Sequence, residues 1–130
     1  MKTAMIIISV LTITAMAYGF NVERVRQVNE NFLKCSSELG QSADNPTVEV
    51  FQCAIVKGGR VLDANGLYKK EDTLKIFEDI ISDTSKLEQA RNVFTKCYDE
   101  AIQNGSTGDE QTIKITTCSL PIIPLFDKPN

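Results

Sequence analysis

Four cysteines, Cys35, Cys53, Cys97 and Cys118, are the side chains of this sequence with the widest choice of chemistry. A cysteine can attack a substrate, bind a metal ion or pair in a disulfide. The four stand far apart, with no CxxC pair and no zinc-finger spacing, which argues against a metal site. Their even number favours two disulfides, as in chains that fold in an oxidising compartment.

The absence of histidine removes most other catalytic arrangements. Ser-His and Cys-His pairs and histidine-based zinc sites all need an imidazole. Paired carboxylates remain open on composition, because 17 Asp and Glu residues are spread along 130 positions. A small domain rarely forms the deep polar groove of a glycosidase. We therefore expect no catalytic residue, no bound metal and no cofactor, and the formal net charge of −3 argues against a nucleic-acid partner.

Residues 1–19, MKTAMIIISVLTITAMAYG, have one lysine followed by an uncharged apolar run that ends in small residues. This layout is typical of a secretory signal peptide rather than a membrane-spanning helix. Ala17 and Gly19 are the two candidate cleavage positions. We expect a secreted, extracellular protein, not inserted in a membrane, with a single domain over residues 20–130.

Apolar residues recur at helical spacing through that domain. The pattern predicts a first helix over 21–39, bounded by Gly40. A second helix should follow the loop, with Asp44 or Asn45 as N-cap and Pro46 in its first turn, and it should be buried nearly all round until the glycine pair at 58–59.

Three more helices are predicted in the second half of the chain. The third covers about 69–83, and the fourth begins at Ser85 with Glu88 completing a capping box. The fifth begins after Thr107, and its inner face carries Ile113, Thr117 and Leu120. The β-branched run at 112–117 also allows a strand, but its position between a cap and a cysteine favours helix. Residues 121–130 read as an extended apolar tail. The predicted fold is all-α, a compact bundle of about five to six short helices.

This order of helices selects one disulfide pattern. Four cysteines permit three pairings. We expect Cys35–Cys53 and Cys97–Cys118, because each pair joins consecutive helices in its half of the chain. Each would close a loop of about 20 residues and contribute on the order of 3 kcal/mol.

Two polar motifs remain. The DANG sequence at 63–66 has calcium-loop residue types but not the EF-hand spacing, and we interpret it as a turn. Asn104-Gly105-Ser106 is a glycosylation sequon in a predicted surface loop, so Asn104 is a candidate for glycosylation.

The apolar side chains admit two interpretations. Each one alone is most simply a core residue. Together they suggest that short helices enclose a cavity lined by aliphatic and phenyl groups, with a tyrosine hydroxyl as the polar group. The candidate ligand-binding residues are Phe51, Ile55, Leu74, Phe77, Ile80, Val93, Phe94, Tyr98, Ile113, Leu120 and Phe126.

Several stretches resemble the group 2 and group 4 venom allergens of fire ants, a branch related to insect odorant- and pheromone-binding proteins. The resemblance runs from about Asn21 to Ile122. It is carried by VEVFQCA at 48–54, IISD at 80–83, and KCYDE at 96–100 followed by TCSL. The leader ending in AYG is also similar, which favours cleavage after Gly19.

The resemblance implies an odorant-binding-protein-like helical fold, secretion into venom, and transport of a small hydrophobic molecule such as a pheromone, odorant or alkaloid. The sequence departs from the family at Phe77 and Ala90, where members carry a further disulfide. Group 2 members also dimerise through a cysteine in the loop after the first helix, where this chain has Ser42 or a shortened loop, so the resemblance implies a non-covalent homodimer at most.

The sequence thus predicts a secreted carrier of a small hydrophobic molecule. One rival is a venom or haemolymph protein that holds no ligand and acts through its surface as a structural or toxin component. The other is an enzyme with two facing acids in a cleft.

Overall fold

The computed structural model describes residues 20–42 and 46–129, and every named element within them is helical. The all-α prediction is confirmed. The leader at 1–19, with both candidate cleavage positions, lies outside the described residues. The elements, numbered in chain order, are α1 Val22–Leu39, α2 Val48–Gly58, α3 Lys70–Ile80, α4 Thr84–Gln103, α5 Gly108–Cys118 and a 3₁₀ helix, Leu120–Leu125.

Helix α1 begins and ends close to the predicted positions. The Asn21 side chain accepts a hydrogen bond from the Arg24 N–H at 3.2 Å, which caps the first turn. Gly40 ends the helix with a φ of 66°, a left-handed conformation that suits glycine. Inside the helix, Cys35 is fully buried.

Helix α2 differs from the prediction at its start and on one face. Thr47 is the N-cap, and its hydroxyl accepts from the Val50 N–H at 3.3 Å. The predicted caps, Asp44 and Asn45, lie outside the described residues, and Pro46 precedes the helix. Val56 is 62% exposed, so the prediction of a helix buried nearly all round is wrong.

The junction between α3 and α4 comes earlier than predicted. Helix α3 stops at Ile80, because Ile81 is extended, with φ −124° and ψ 109°. Asp83 then caps α4 by accepting from the backbone N–H groups of Ser85 and Lys86 at 2.9 and 3.0 Å. The predicted capping box starting at Ser85 is therefore wrong: an aspartate just upstream caps the helix instead.

Helix α5 is a helix, as favoured over the strand, but it presents a different face. Ile113 is 46% exposed, while Ile115 and Thr116 are fully buried, so the predicted inner face is wrong. Thr107 is the N-cap residue, although its side chain makes no capping hydrogen bond. The following segment is a 3₁₀ helix rather than the extended tail expected from its prolines.

Two apolar clusters hold the helices together. The large core has ten buried residues, contributed mainly by α3, α4, α5 and the 3₁₀ helix, and includes Phe94 and Ile122. The small core, where α1 packs on α2, has three: Cys35, Val50 and Ala54. Burial of apolar side chains is the main stabilising term of a fold of this size.

Both predicted disulfides are present, and no described cysteine is free. Cys35–Cys53 ties α1 to α2 beside the small core, and Cys97–Cys118 ties α4 to α5 beside the large core. Phe77 and Ala90, neither of which is a cysteine, are both buried in the large core.

Within residues 20–42 and 46–129, none of the helices combines the length and the apolar character that crossing a membrane would require.

Candidate functional site

A pocket of about 280 Å³ lies between α1, α2 and α3, with the large core beneath it. Its lining comes from one side of α1, one side of α2, the loop after α2, one side of α3, and single residues further along the chain. The apolar lining residues are Val28, Phe32, Phe51, Ala54, Ile55, Val61, Ile76, Phe77, Ile80, Phe94 and Phe126.

Aromatic rings form the floor of the pocket. Phe94, from α4, is 1% exposed and meets Phe77 edge to face, with ring centroids 5.8 Å apart. Tyr68 meets the same Phe94 ring at 5.5 Å in a similar edge contact. Such edge contacts fix the rings relative to one another beyond the effect of burial alone. The floor is therefore a packed layer rather than a set of loose side chains.

The walls combine an aromatic pair and the chain's C-terminal segment. Phe51 stacks on Phe32 at 5.9 Å, which joins α2 to α1. Phe126, just after the 3₁₀ helix, lies 6.2 Å from the Phe77 ring. Phe126 is held in place by its neighbour Asp127, whose carboxylate accepts from the Ser82 N–H at 3.1 Å and the Ser82 hydroxyl at 2.6 Å.

Hydroxyl groups interrupt the apolar floor at three positions. The Tyr68 hydroxyl lies 2.7 Å from the Thr116 Oγ1, and burial raises the pKa of Tyr68 to about 12. The Thr73 hydroxyl donates to the Lys69 carbonyl at 2.9 Å. Ser119 is 3% exposed, and its Oγ has no hydrogen-bond partner in the described part of the chain.

Charged side chains stand at the rim: Arg24, Glu30, Lys57 and Arg60. The Arg24 Nε lies 3.8 Å from an Asp79 carboxylate oxygen, and Lys57 pairs with Glu38 at 3.1 Å. The pocket is thus apolar inside and charged where it meets solvent, an arrangement common to small-molecule sites.

The structure brings six of the eleven candidate ligand-binding residues to this pocket. They are Phe51, Ile55, Phe77, Ile80, Phe94 and Phe126. Their predicted role in binding stays a prediction, but their positions agree with it.

The other five candidates line no part of it. Leu74, Val93 and Tyr98 pack against the large core, and Tyr98 contacts Phe94 at 6.0 Å. Leu120 is half-buried in the 3₁₀ helix, and Ile113 lies on the exposed face of α5. The tyrosine at the pocket is Tyr68, not the proposed Tyr98.

Sequence reasoning missed Tyr68, Thr73 and Ser119. Tyr68 lies in the segment after the DANG turn, where the Asp63 carboxylate accepts from the Asn65 and Leu67 N–H groups and an isolated β-bridge joins Leu62 to Tyr68. Helical spacing of apolar residues does not identify such a residue as buried, because it lies outside the helices. Thr73 and Ser119 are polar, so a search for apolar side chains passes over them.

The residues of the pocket offer little for bond-making chemistry. Glu30 is the only carboxylate among the described lining residues, so the facing pair of acids that carboxylate catalysis uses is not found there. Elsewhere in the described part of the chain, Cys35, Cys53 and Glu38 lie close enough together to suggest a metal site. Both sulfurs are bonded to each other, however, and a disulfide offers no thiolate ligand.

A second pocket, of about 430 Å³, adjoins the rim and is polar. It is lined mostly by charged residues at the end of α2 and along α3: Gly59, Arg60, Lys69, Asp72, Lys75, Ile76 and Asp79. Because it has almost no apolar wall, it would gain little from taking up a hydrophobic molecule.

The glycosylation candidate, at the end of α4, lines neither pocket. Asn104 is the exposed C-cap residue of that helix, and Gly105 follows with a φ of 76°. Modification of Asn104 stays a prediction.

Comparison with known proteins gives one family and several relatives. The model of the "Ant venom allergen Sol i 2 family" matches residues 34–123. Venom allergen 2 of Solenopsis richteri is 26% identical over 105 residues, which cover 77% of this chain and 88% of that protein. Venom allergen 2 of Solenopsis saevissima is 22% identical over 125 residues, covering 92% of this chain and 90% of that protein. No solved structure gives a significant match.

Proposed function

This chain belongs to the ant venom allergen Sol i 2 family, and we propose that it is a secreted carrier that holds a small hydrophobic molecule in the pocket between α1, α2 and α3. The observation that carries the proposal is the pocket itself, which has an apolar floor and walls beneath a charged rim. A pocket of this kind suits a ligand with a hydrocarbon body.

The size of the pocket limits the size of the ligand. Because one water occupies about 30 Å³ of liquid, a pocket of about 280 Å³ holds on the order of nine water-sized groups of atoms. The proposed ligand is therefore a small volatile or semi-volatile molecule, or one end of a longer chain whose other end leaves through the rim.

The mechanism proposed is burial without reaction. Each CH₂ group moved out of water gains about 0.8 kcal/mol, so an eight-carbon chain gains roughly 6 kcal/mol. Loss of translational and rotational freedom offsets part of that gain. We therefore expect dissociation constants no tighter than about 40 μM for such a chain, which suits a carrier that must also release its ligand.

Secretion is part of the proposal and is supported by two features. The leader has the layout of a signal peptide, and all four cysteines are paired in disulfides, which persist outside the reducing cytosol. The relatives in Solenopsis carry the name venom allergen, so we propose venom as the destination of this chain as well.

A pair of neighbouring substitutions in α2 tests the carrier function. Ile55→Trp places a larger side chain on the pocket wall, whereas Val56→Trp makes the same kind of change on the exposed side of the helix. We expect the unaltered protein and the Val56→Trp variant to bind the fluorescent probe N-phenyl-1-naphthylamine. The Ile55→Trp variant should bind it at least about tenfold more weakly.

Circular dichroism of the three proteins serves as the control for helix content. Equal binding by both variants would show that the probe sits elsewhere. Failure of the unaltered protein to bind any apolar probe would favour the alternative, a venom component that acts through its surface.

A further inference from the structure

Two residues of the pocket lining, Tyr68 and Ser119, carry hydroxyl groups with different hydrogen-bonding needs. Ser119 is almost completely buried, and its Oγ has no partner among the described residues. A buried hydroxyl without a partner loses the hydrogen bonds it made to water, so it gains from any ligand that restores one. Tyr68 has a partner, and the direction of that hydrogen bond decides what Tyr68 can still offer.

The direction of the Tyr68 hydrogen bond follows from what its partner, the Thr116 hydroxyl, does with its own proton. Thr116 donates its single hydroxyl proton to the Thr112 carbonyl at 2.8 Å. Thr116 therefore acts as acceptor towards Tyr68, and the Tyr68 hydroxyl is the donor across their 2.7 Å contact. The Tyr68 oxygen keeps free lone pairs and has no proton left to donate. Because burial holds the pKa of Tyr68 at about 12, the phenol keeps this proton at neutral pH.

Ser119 and the Tyr68–Thr116 pair lie on the same side of α5. Ser119 follows Thr116 by three residues and has αR backbone angles, so the helical spacing continues to it. Residues three apart on a helix are neighbours on its surface. Both Tyr68 and Ser119 line the pocket. Both residues therefore belong to the pocket lining on the same side of α5, Tyr68 with an acceptor oxygen and Ser119 with a hydroxyl that has no hydrogen-bond partner among the described residues.

We infer that the pocket selects aliphatic alcohols, whose hydroxyl donates to the Tyr68 oxygen and accepts from the Ser119 hydroxyl. This inference rests on the proposed carrier function and names the ligand class for the same site. An alcohol is the smallest head group that meets both needs at once.

Other head groups satisfy only part of this arrangement. An aldehyde, ketone or ether accepts from Ser119 but leaves the Tyr68 lone pairs unmatched. A carboxylate would place its negative oxygens against the Tyr68 and Thr73 oxygens, whose hydroxyl protons are already donated in other hydrogen bonds. An ammonium group would be buried at a floor to which the described residues contribute no carboxylate.

A series of three ligands of equal size tests the inference. Octan-1-ol, octanal and heptyl methyl ether each have about nine non-hydrogen atoms, which matches the water-equivalent size of the pocket. They differ in that only the alcohol can donate. We expect isothermal titration calorimetry on the full-length mature protein to show octan-1-ol bound about two- to tenfold more tightly than the other two, the effect of one hydrogen bond.

Two substitutions with matched controls assign the preference to these hydroxyls. Tyr68→Phe and Ser119→Ala should each reduce the preference for octan-1-ol while leaving heptyl methyl ether bound. Tyr98→Phe makes the same chemical change at a tyrosine outside the pocket. Ser36→Ala removes another buried hydroxyl for which residues 20–42 and 46–129 supply no partner, and Ser36 also lies outside the pocket. Both controls should keep the preference.

The outcomes separate this inference from the proposed function. If all three ligands bind equally, or the alcohol preference survives Tyr68→Phe, the inference is wrong while the carrier function stands. If none of the three binds, both fail. If the preference is present and is lost only in the Tyr68 and Ser119 variants, the alcohol site is established.

Discussion

The two apolar cores of this protein differ in how they are held together, and the pocket lies between them. The large core has ten buried residues and forms the floor through Phe77, Ile80 and Phe94. The small core has three and supports the wall made by α1 and α2. A cluster of three residues gains little from burial, so the wall depends more on the Cys35–Cys53 crosslink than the floor depends on Cys97–Cys118. The pocket is thus a rigid floor facing a tethered wall.

The largest expected effect tests the floor. Phe94→Ala removes a fully packed ring from the large core and should lower the free energy of unfolding by about 3–5 kcal/mol. Phe32→Ala removes a half-buried ring beside the small core and should cost no more than about 2 kcal/mol. Urea unfolding measures both, and equal losses would show that the two cores do not differ as described.

Removal of each disulfide in turn gives a second comparison between the small core and the large core. The sequence separations of the bonded cysteines, 18 and 21 residues, are nearly equal, so each double Cys→Ala variant should lose about 3 kcal/mol of stability. Their effects on the pocket should differ, because α1 and α2 supply much of its lining, whereas α5 supplies none of the lining residues.

Probe binding is the measurement that separates these two variants. Loss of Cys35–Cys53 should weaken binding of N-phenyl-1-naphthylamine, whereas loss of Cys97–Cys118 should leave it nearly unchanged under conditions where both variants are folded. The reverse order would contradict the picture of a tethered wall.

The next largest effect is expected from loss of the contact between Asp127 and Ser82. Asp127→Ala removes both hydrogen bonds from Ser82 to the carboxylate and should cost about 1–2 kcal/mol. It should also weaken ligand binding, because Phe126 is no longer held against Phe77. Lys128→Ala, one residue further on and exposed, serves as the control. If both variants bind the probe as the unaltered protein does, the C-terminal segment does not contribute to the pocket.

The smallest effect concerns two threonine caps. Thr47 caps α2 through its hydroxyl, while Thr107 occupies the same position before α5 without making that bond. Thr47→Ala should therefore cost about 1 kcal/mol and Thr107→Ala only a few tenths. Thermal unfolding compares the two. A larger loss at Thr107 would mean that its cap is made in solution.

The helices and the disulfide pairs could be predicted from the sequence, because they depend mainly on residues close together in the chain. Helix periodicity and the glycine after Leu39 defined α1, and cysteines on consecutive helices gave both disulfide pairs. Cap positions were less certain, because several capping residues stand close together near Thr47 and near Asp83. Only the folded chain decides which of them meets the free N–H groups.

The site is harder to predict from the sequence, because packing rather than residue type decides whether an apolar side chain points to the core or to solvent. Phe51 and Phe94 both line the pocket, whereas Ile113, which is as apolar as Ile115, faces solvent. Tyr68 follows a turn whose path across the large core depends on contacts distant in sequence, including its hydrogen bond to Thr116.

The most direct test of the carrier account is native mass spectrometry of the protein purified from its source tissue without denaturation. The account predicts the mass of the disulfide-bonded chain plus a small molecule, with the extra mass lost on denaturation in organic solvent. Any covalent glycan at Asn104 would remain after that treatment, so it cannot be confused with a ligand. A mass that is the same before and after denaturation would contradict the account.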